Sequence, residues 1–144
     1  SRNNDLRWLS DWAQYHATVH GLEGIVLFEH MSDRYSAEEV EATLSSVRGI
    51  KKVCIVPSSY RFGPTTDNNA LFLQVAEMNI ARLRFLSQAA GVLCVDIDEL
   101  VAPSPHGSIF ETARRSPLGW RAPTADVRRR SCTCGSTRRS PSAS

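Results

Sequence analysis

The sequence predicts an α/β fold in which a parallel sheet is covered by helices on both faces. Amphipathic segments with helical spacing alternate along the chain with short runs of apolar residues that favour strands. These runs are continuous rather than alternating with polar residues, which is typical of strands buried on both faces of a parallel sheet. The length of 144 residues fits one domain.

The N-terminal part of the chain predicts a helix followed by a strand. The helix spans residues 5–19, because Trp8, Trp12 and Tyr15 recur at helical spacing and form an apolar stripe. We expect Trp8 and Trp12 to pack in the core rather than to stack on a sugar. Residues 25–28, which are Ile-Val-Leu-Phe, then predict a buried strand.

The middle of the chain predicts two further helices and two further strands. Ser36 and Glu39 have the spacing of a capping box, which predicts a helix that continues to about residue 46. Residues 52–56 predict the second strand. Residues 69–88 predict a long amphipathic helix, and residues 92–95 predict the third strand. A second capping box at residues 108–111 predicts a short helix that ends near residue 115.

Charge divides the chain into an acidic body and a basic tail. Residues 1–113 contain nine Lys or Arg and fourteen Asp or Glu, a balance of −5, whereas residues 114–144 contain eight Arg and one Asp, a balance of +7. Residues 117–144 have few large apolar side chains, which predicts a disordered tail and a folded part over residues 1–116. The tail lacks interleaved aromatic residues for base stacking, so a nucleic-acid partner is not expected.

The composition favours a soluble, cytoplasmic protein, with peripheral attachment to the inner face of the membrane as an open alternative. No apolar run approaches the roughly 18 residues of a membrane span. Cys54 and Cys94 lie in the apolar runs, where a thiol behaves as a small hydrophobe. Cys132 and Cys134 lie in the polar tail, where no further zinc ligands accompany them.

The residues that favour a chemical site are Asp96 and Asp98, which directly follow the predicted third strand. Ligands bind at the carboxyl ends of the strands in an open parallel sheet. With Ile97 directed into the core, the spacing lets both carboxylates approach one Mn²⁺ or Mg²⁺ ion, or lets one bind the ion while the other orients a ligand. Such cations prefer oxygen ligands and leave positions for phosphate oxygens. The alternative is that residues 96–99 cap the next turn or face solvent. His16 and His20 are also spaced to bind a metal, but no third ligand accompanies them, so packing is the expected role.

Three segments together resemble a known family. Residues 92–101, VLCVDIDELV, resemble the strand and Asp-x-Asp-Glu motif of GT-A-type glycosyltransferases, and most of all those of the glycosyltransferase-2-like family. Residues 3–16 are similar to that family's asparagine-containing segment and the helix after it, and residues 24–36, GIVLFEHMSDRYS, to its next strand and turn. The resemblance implies a partial Rossmann-like GT-A sandwich over residues 1–116 that binds a nucleotide-sugar, with the family's first strand and acceptor half missing.

The resemblance also implies roles for individual residues. Asp96 and Asp98 would hold the metal ion, and Asp96 would also contact the diphosphate. Glu29 replaces the family's aspartate after the strand and is one methylene longer, while Met31 stands where the family has a turn residue such as glycine. The residues that would surround the donor are Asn4, Glu29, Ser32, Asp33 and Asp96.

The expected function is metal-dependent transfer of a sugar from a nucleotide-sugar to the hydroxyl of a saccharide or other acceptor, in surface polysaccharide synthesis. No catalytic residue is assigned, because the family's general base belongs to the acceptor half. Two alternatives remain open: an Asp-x-Asp phosphatase or phosphotransferase, and a non-enzymatic relic whose basic tail binds nucleic acid. Glu99 and Leu100 after the second aspartate disfavour the phosphatase, which usually has a glycine there.

Overall fold

The computed structural model describes residues 1–60, 63, 72–105 and 107–115. The predicted tail over residues 117–144 and the predicted start of the long helix at residue 69 lie outside the described residues. Within the described ranges, the elements in chain order are the helix α1 (Leu6–His20), the strand β1 (Gly24–Glu29), the helix α2 (Ala37–Ser45), the strand β2 (Lys52–Pro57), the helix α3 (Phe72–Ile80), a π-helical segment (Ala81–Phe85) and the helix α4 (Ile109–Arg115). No helix among the described residues has the length and apolar character needed to cross a membrane.

Helices α1 and α2 begin and end where local chemistry dictates. The side chain of Asp5 accepts a hydrogen bond from the backbone N–H of Arg7 and caps α1, which ends at Gly21 with a φ of 70°. Ser36 and Glu39 form the predicted capping box, because each side chain bonds the backbone N–H of the other residue. The predicted bounds of both helices are therefore confirmed to within one or two residues.

The sheet contains the parallel pair of β1 and β2 and confirms the prediction of an α/β chain with a parallel sheet. The two strands pair in register from Gly24 opposite Lys52 to Glu29 opposite Pro57. The chain between them forms α2, which packs against β2 and against α1. The β1–α2–β2 unit is thus the crossover arrangement that parallel strands require.

The hydrophobic core lies between α1, α2 and one face of β1. Its fully or nearly fully buried members are Leu9, Ala13, Ile25, Val40, Leu44 and Val47. Ile97 packs against this cluster from the segment after α3, as its position between two aspartates predicted. The core therefore fixes the segment of residues 96–99 relative to α1 and β1.

The edge of β1 that faces away from β2 carries the N-terminal residue. The α-amino group of Ser1 donates to the carbonyl of Phe28, and the carbonyl of Ser1 accepts from the N–H of His30, each over 2.7 Å. This pair of bonds is the pattern of a parallel bridge. Ser1 thus extends the sheet by one residue at the carboxyl end of β1.

The predicted third strand is not present. Residues 92–95 are extended but have no strand partner among the described residues, and the side chain of Val92 is 55 % exposed. An apolar run becomes a strand only when a neighbour pairs with its backbone, and on the free edge of β1 only Ser1 is paired. The expectation that Cys94 lies in a buried strand is wrong as well, because this thiol is exposed.

Further differences concern side chains that the sequence assigned to the core. Within its described part, the long helix is α-helical over Phe72–Ile80 and then continues as the π-helical segment, where the N–H of Leu86 donates to the carbonyl of Ala81. Phe72 is 74 % exposed, and Trp8 on α1 is 64 % exposed. The stripe on α1 is wider than the core that it covers, so Trp12 packs against the cluster whereas Trp8 does not.

The second predicted capping box is also incomplete. The Ser108 hydroxyl accepts from the N–H of Phe110 and donates to the carbonyl of His20. The Glu111 carboxylate pairs with Arg114 and Arg115 on its own helix instead. Two nearby guanidinium groups attract a carboxylate more strongly than one backbone N–H, so the reciprocal bond of a capping box is absent.

Candidate functional site

The predicted donor-binding residues of the first half of the chain meet at the carboxyl end of β1. The N–H of Asn3 donates to the Ser32 hydroxyl over 2.9 Å, and the N–H of Asp33 donates to the Asn3 side-chain oxygen over 3.1 Å. The Asn4 amide donates to the Ser1 hydroxyl over 2.9 Å. The segment before α1 and the turn after β1 are therefore one hydrogen-bonded unit.

Glu29 holds this turn in place. Its Oε1 atom accepts a 2.8 Å hydrogen bond from the N–H of Ser32, three residues later. One carboxylate oxygen thus has a structural role, and the other has no bond to the described residues. The sequence assigned Glu29 only to the donor, so its turn-forming bond was not anticipated.

The turn after β1 has an unfavourable backbone conformation at Met31. Asn3 and Met31 both have a positive φ, 53° and 51° respectively. Asparagine tolerates this left-handed region, whereas a methionine there brings its Cβ atom close to backbone oxygen. Met31 therefore adopts the conformation of this turn at the cost of strain.

Residues 96–99 form a turn directly above α1. The carbonyl of Asp96 accepts from the N–H of Glu99 and from the Trp12 indole, each over 3.1 Å. The Glu99 carboxylate in turn accepts from the N–H of Asp96. The indole of Trp12 and the burial of Ile97 together anchor the turn that carries both aspartates.

The carboxylates of Asp96 and Asp98 are exposed and form no hydrogen bond or ion pair with the described residues. Among those residues, no group of three or more His, Cys, Asp or Glu could hold a metal ion. A closed protein-only site is therefore not formed there. The donor set still fits Mn²⁺ or Mg²⁺, because such ions bind one or two carboxylates and complete their shell with water and phosphate oxygens.

The two halves of the predicted site approach each other at Ser1. Burial lowers the pKa of the Ser1 α-amino group, and the carboxylates of Glu77, Glu29 and Asp96 act in the opposite direction. A carboxylate has this effect only at short range. Asp96 and Glu29 therefore lie within electrostatic range of the same amino group, whereas no hydrogen bond or ion pair joins Asp98 to the other predicted residues in the described part of the chain.

Two shallow cavities flank the Ser1–Asn4 segment. The first, of about 230 Å³, is lined by Asn4, Asp5, Leu6, Arg34 and Tyr35. The second, of about 260 Å³, is lined by Ser1, Arg2, His30, Leu73 and Glu77. Most of these lining residues escaped prediction, because they come from separate segments and follow no motif or periodicity that marks them in the sequence.

Three partly buried side chains at these cavities have inaccessible polar atoms that are unpaired. The Tyr35 hydroxyl, both ring nitrogens of His30 and the Oε1 atom of Glu77 have no hydrogen-bond partner among the described residues. Buried polar groups are nearly always paired with protein, water or ligand. These polar atoms therefore lie beneath the lining of the two cavities and are unsatisfied within the described part of the chain.

His16 and His20 are buried and engaged with the protein itself. One ring nitrogen of His16 lies 2.9 Å from the carbonyl of Trp12. The Nδ1 atom of His20 accepts from the N–H of Ile109, so its Nε2–H donates to the carbonyl of Val101 over 2.8 Å. Both rings lie in the packing between α1 and the C-terminal segment, in line with the role expected for them.

Comparisons with protein-family models, with curated proteins and with solved structures gave no match for this chain.

Proposed function

We propose that this chain is the donor-binding part of a metal-dependent glycosyltransferase that transfers a sugar from a nucleotide-sugar to a hydroxyl acceptor. The observation that carries the proposal is the set of hydrogen bonds that join Asn3 to Ser32 and Asp33 at the carboxyl end of β1. Two segments chosen independently from the sequence thereby lie at one end of the sheet. That end is where nucleotides bind in open parallel α/β folds.

The diphosphate of the donor belongs, in this proposal, at the turn that carries Asp96 and Asp98. A bound Mn²⁺ or Mg²⁺ would neutralise the charge that develops on the departing nucleotide diphosphate. Both carboxylates are exposed and unpaired, so they are free to hold such an ion without first breaking a protein contact. The Trp12 bond to the Asp96 carbonyl fixes the turn against α1.

The nucleoside belongs in the cavity lined by Asn4, Arg34 and Tyr35. Tyr35 lines this cavity, and its hydroxyl, which has no partner among the described residues, would bond a base or ribose after a small movement of the ring. Ser32 and Asp33 border the same segment through their bonds to Asn3. The Arg34 side chain is exposed and supplies a positive charge that attracts the phosphates of the donor.

The finer description of the fold is part of the same proposal. We propose that residues 1–116 correspond to a partial Rossmann-like GT-A sandwich, because a β1–α2–β2 unit and a polar cluster at the carboxyl end of β1 are features of that class. The acceptor saccharide and the general base remain unassigned to any residue. A role in surface polysaccharide synthesis, in the cytoplasm or at the inner face of the membrane, rests on the family resemblance alone.

The test is a calorimetric and NMR titration of the full chain with uridine and guanosine diphosphates, with and without Mn²⁺. We expect binding that strengthens at least about tenfold with Mn²⁺, because a cation bridges carboxylate and diphosphate. Asp98→Asn should remove this dependence on Mn²⁺. Asp11→Asn is the matched control, since Asp11 is exposed on α1 and removes the same charge.

Two results of this titration would contradict the proposal, and one would support the placement of the nucleoside. Nucleotide binding that is indifferent to Mn²⁺ in a folded sample contradicts the proposed metal site. An equal loss of affinity in Asp98→Asn and Asp11→Asn would show a general charge effect rather than coordination. Perturbed NMR signals of Asn4 and Tyr35 on nucleotide addition would support the placement of the nucleoside.

A further inference from the structure

Helix α3 and the π-helical segment after it are apolar on two opposite sides. Leu73 and Ala81 lie eight residues apart, are buried and form the inward side. Phe72, Val75 and Leu83 lie on the opposite, outward side, where they are 74 %, 52 % and 69 % exposed. Because a helix that is apolar all round is normally covered all round, the outward side indicates a partner.

The charged residues of this stretch are divided unevenly between the two sides. Residues 72–90 contain two arginines and one acidic residue. The acidic residue, Glu77, lines the inner cavity with Leu73, whereas Arg82 and Arg84 are both exposed. Successive residues of a helix are roughly 100° apart around its axis, so the two arginines flank Leu83 on either side. The outward side is therefore apolar along its middle and cationic at both margins.

Asn79 interrupts the apolar middle of the outward side, four residues from both Val75 and Leu83. Its side-chain amide donates to the Val75 carbonyl over 2.9 Å. A polar side chain that bonds the backbone of its own helix has part of its hydrogen-bonding capacity satisfied without water. Asn79 is therefore compatible with transfer of this side into a poorly hydrated environment.

We propose that this outward side, formed by Phe72, Val75, Arg82, Leu83 and Arg84, docks onto an anionic lipid surface. The helix axis lies parallel to the bilayer plane, and the apolar side chains enter the boundary between headgroups and acyl chains. The arginines extend sideways and bind the lipid phosphates. This inference is independent of nucleotide binding and of the transfer of a sugar.

The charge pattern favours a lipid surface over a second copy of the chain. Two copies packed through this side would bring their exposed arginines into one contact, and residues 72–85 supply no exposed acidic side chain to neutralise them. An anionic bilayer instead presents phosphates beside the arginines and acyl chains beneath the apolar residues.

The charge of the rest of the chain gives this docking a direction. Residues 1–113 carry a net charge of −5, although they include Arg82 and Arg84. Acidic surfaces are repelled by an anionic bilayer, whereas the outward side of α3 is attracted. The acidic remainder of residues 1–113 should therefore face away from the lipid.

The experiment is co-sedimentation of the full chain with vesicles of phosphatidylcholine, either alone or mixed with phosphatidylglycerol. We expect the anionic vesicles to bind at least about tenfold more tightly than the neutral ones. Leu83→Ser should weaken this binding by about tenfold, because it removes apolar area that would leave water. Arg84→Gln should weaken it by about fivefold at low salt and by less at high salt.

Each variant has a matched control outside the proposed surface. Trp8→Ser removes an exposed apolar side chain from α1, and Arg48→Gln removes an exposed arginine after α2. Both should leave the affinity for anionic vesicles unchanged. Equal losses in Arg48→Gln and Arg84→Gln would show a general charge effect and overturn the proposal.

Two further outcomes would assign the binding elsewhere. Residues 114–144 contain eight arginines, so anionic vesicles that still bind the Leu83→Ser and Arg84→Gln variants fully would point to that basic segment and overturn the proposal. Dimerisation without lipid that is lost in Leu83→Ser, together with no binding to vesicles, would assign the surface to a second copy and overturn it as well.

A readout on the unaltered chain removes any dependence on how the variants fold. Anionic bicelles that carry a nitroxide-labelled lipid should broaden the methyl NMR signals of Val75 and Leu83. The signals of Val40, which is buried on α2, should broaden much less. Equal broadening of all three residues would overturn the proposed orientation.

Discussion

The α-amino group of Ser1 donates a 2.7 Å hydrogen bond to the carbonyl of Phe28, so a charged group is partly buried against the free edge of β1. This geometry is favourable for a backbone N–H but costly for an ammonium group, because burial disfavours charge. The bond and the charge therefore have opposite effects on stability, and they can be separated by experiment.

The charge on Ser1 should make stability depend on pH. The pKa of the amino group is lowered in the folded chain, so the unfolded chain binds more protons between that lowered value and the ordinary one. The free energy of unfolding should therefore rise with pH across this window and level off above the ordinary pKa. Urea unfolding at pH 6 to 9 measures the slope.

Acetylation of Ser1 provides the control for this slope. An acetylated chain keeps an N–H that can donate to Phe28 but has no charge to desolvate, so the part of the slope due to Ser1 should vanish. It should also be the more stable form at the low end of the range, since burial has a larger effect on the amino group than the opposing carboxylates. An identical slope in both forms would contradict this account.

Met31→Gly should stabilise the chain by about 0.5–1 kcal/mol, because glycine adopts the left-handed conformation without strain. Met31 is 58 % exposed, so little packing is lost. The measurement is the midpoint of thermal or urea unfolding. Met78→Gly is a useful contrast, since Met78 lies within α3 and glycine should be destabilising there; a loss of stability in Met31→Gly would show that the turn is not strained.

His20→Phe should destabilise the chain by about 1–3 kcal/mol, because it leaves the N–H of Ile109 without an acceptor in a partly buried position. Tyr15→Phe should cost less, about 0.5–1.5 kcal/mol, because the Val101 carbonyl then still accepts from His20. A double-mutant cycle by urea unfolding measures their coupling. Equal effects of the two substitutions would show that the bond to Ile109 contributes nothing.

The sequence predicted best those elements whose determinants are local. The caps of α1 at Asp5 and of α2 at Ser36 depend on side chains and N–H groups within three residues of each other. The parallel pairing of β1 with β2 followed from continuous apolar runs flanking a helix. These features can be recognised in a single sequence because recognising them requires no knowledge of distant residues.

Predictions that depend on distant partners were less successful. Residues 92–95 have the composition of a strand, yet strand formation needs a paired neighbour, and composition does not show whether one is available. The stripe of α1 includes Trp8, but only the packed neighbours decide which part of an apolar stripe is covered. Around the candidate site, the motif singled out Asp96 and Asp98 from the sequence. The grouping of His30 with Glu77, and of Tyr35 with Asn4, at the two cavities is visible only in three dimensions.

The uneven distribution of the core implies that the chain does not open as one unit. The buried cluster draws its members from residues 9–47 and includes none from α3 or α4. The hydrogen bonds of Trp12, Tyr15 and His20 reach residues 96, 101 and 109 of the later segment. Backbone amides of α1 and α2 should therefore exchange with deuterium only through global unfolding. Those of α3 and α4 should exchange through local opening, which requires less free energy. The turn of residues 96–99 lies between these two parts of the chain. Its position is therefore fixed by α1, whereas its mobility should follow that of α3 and α4.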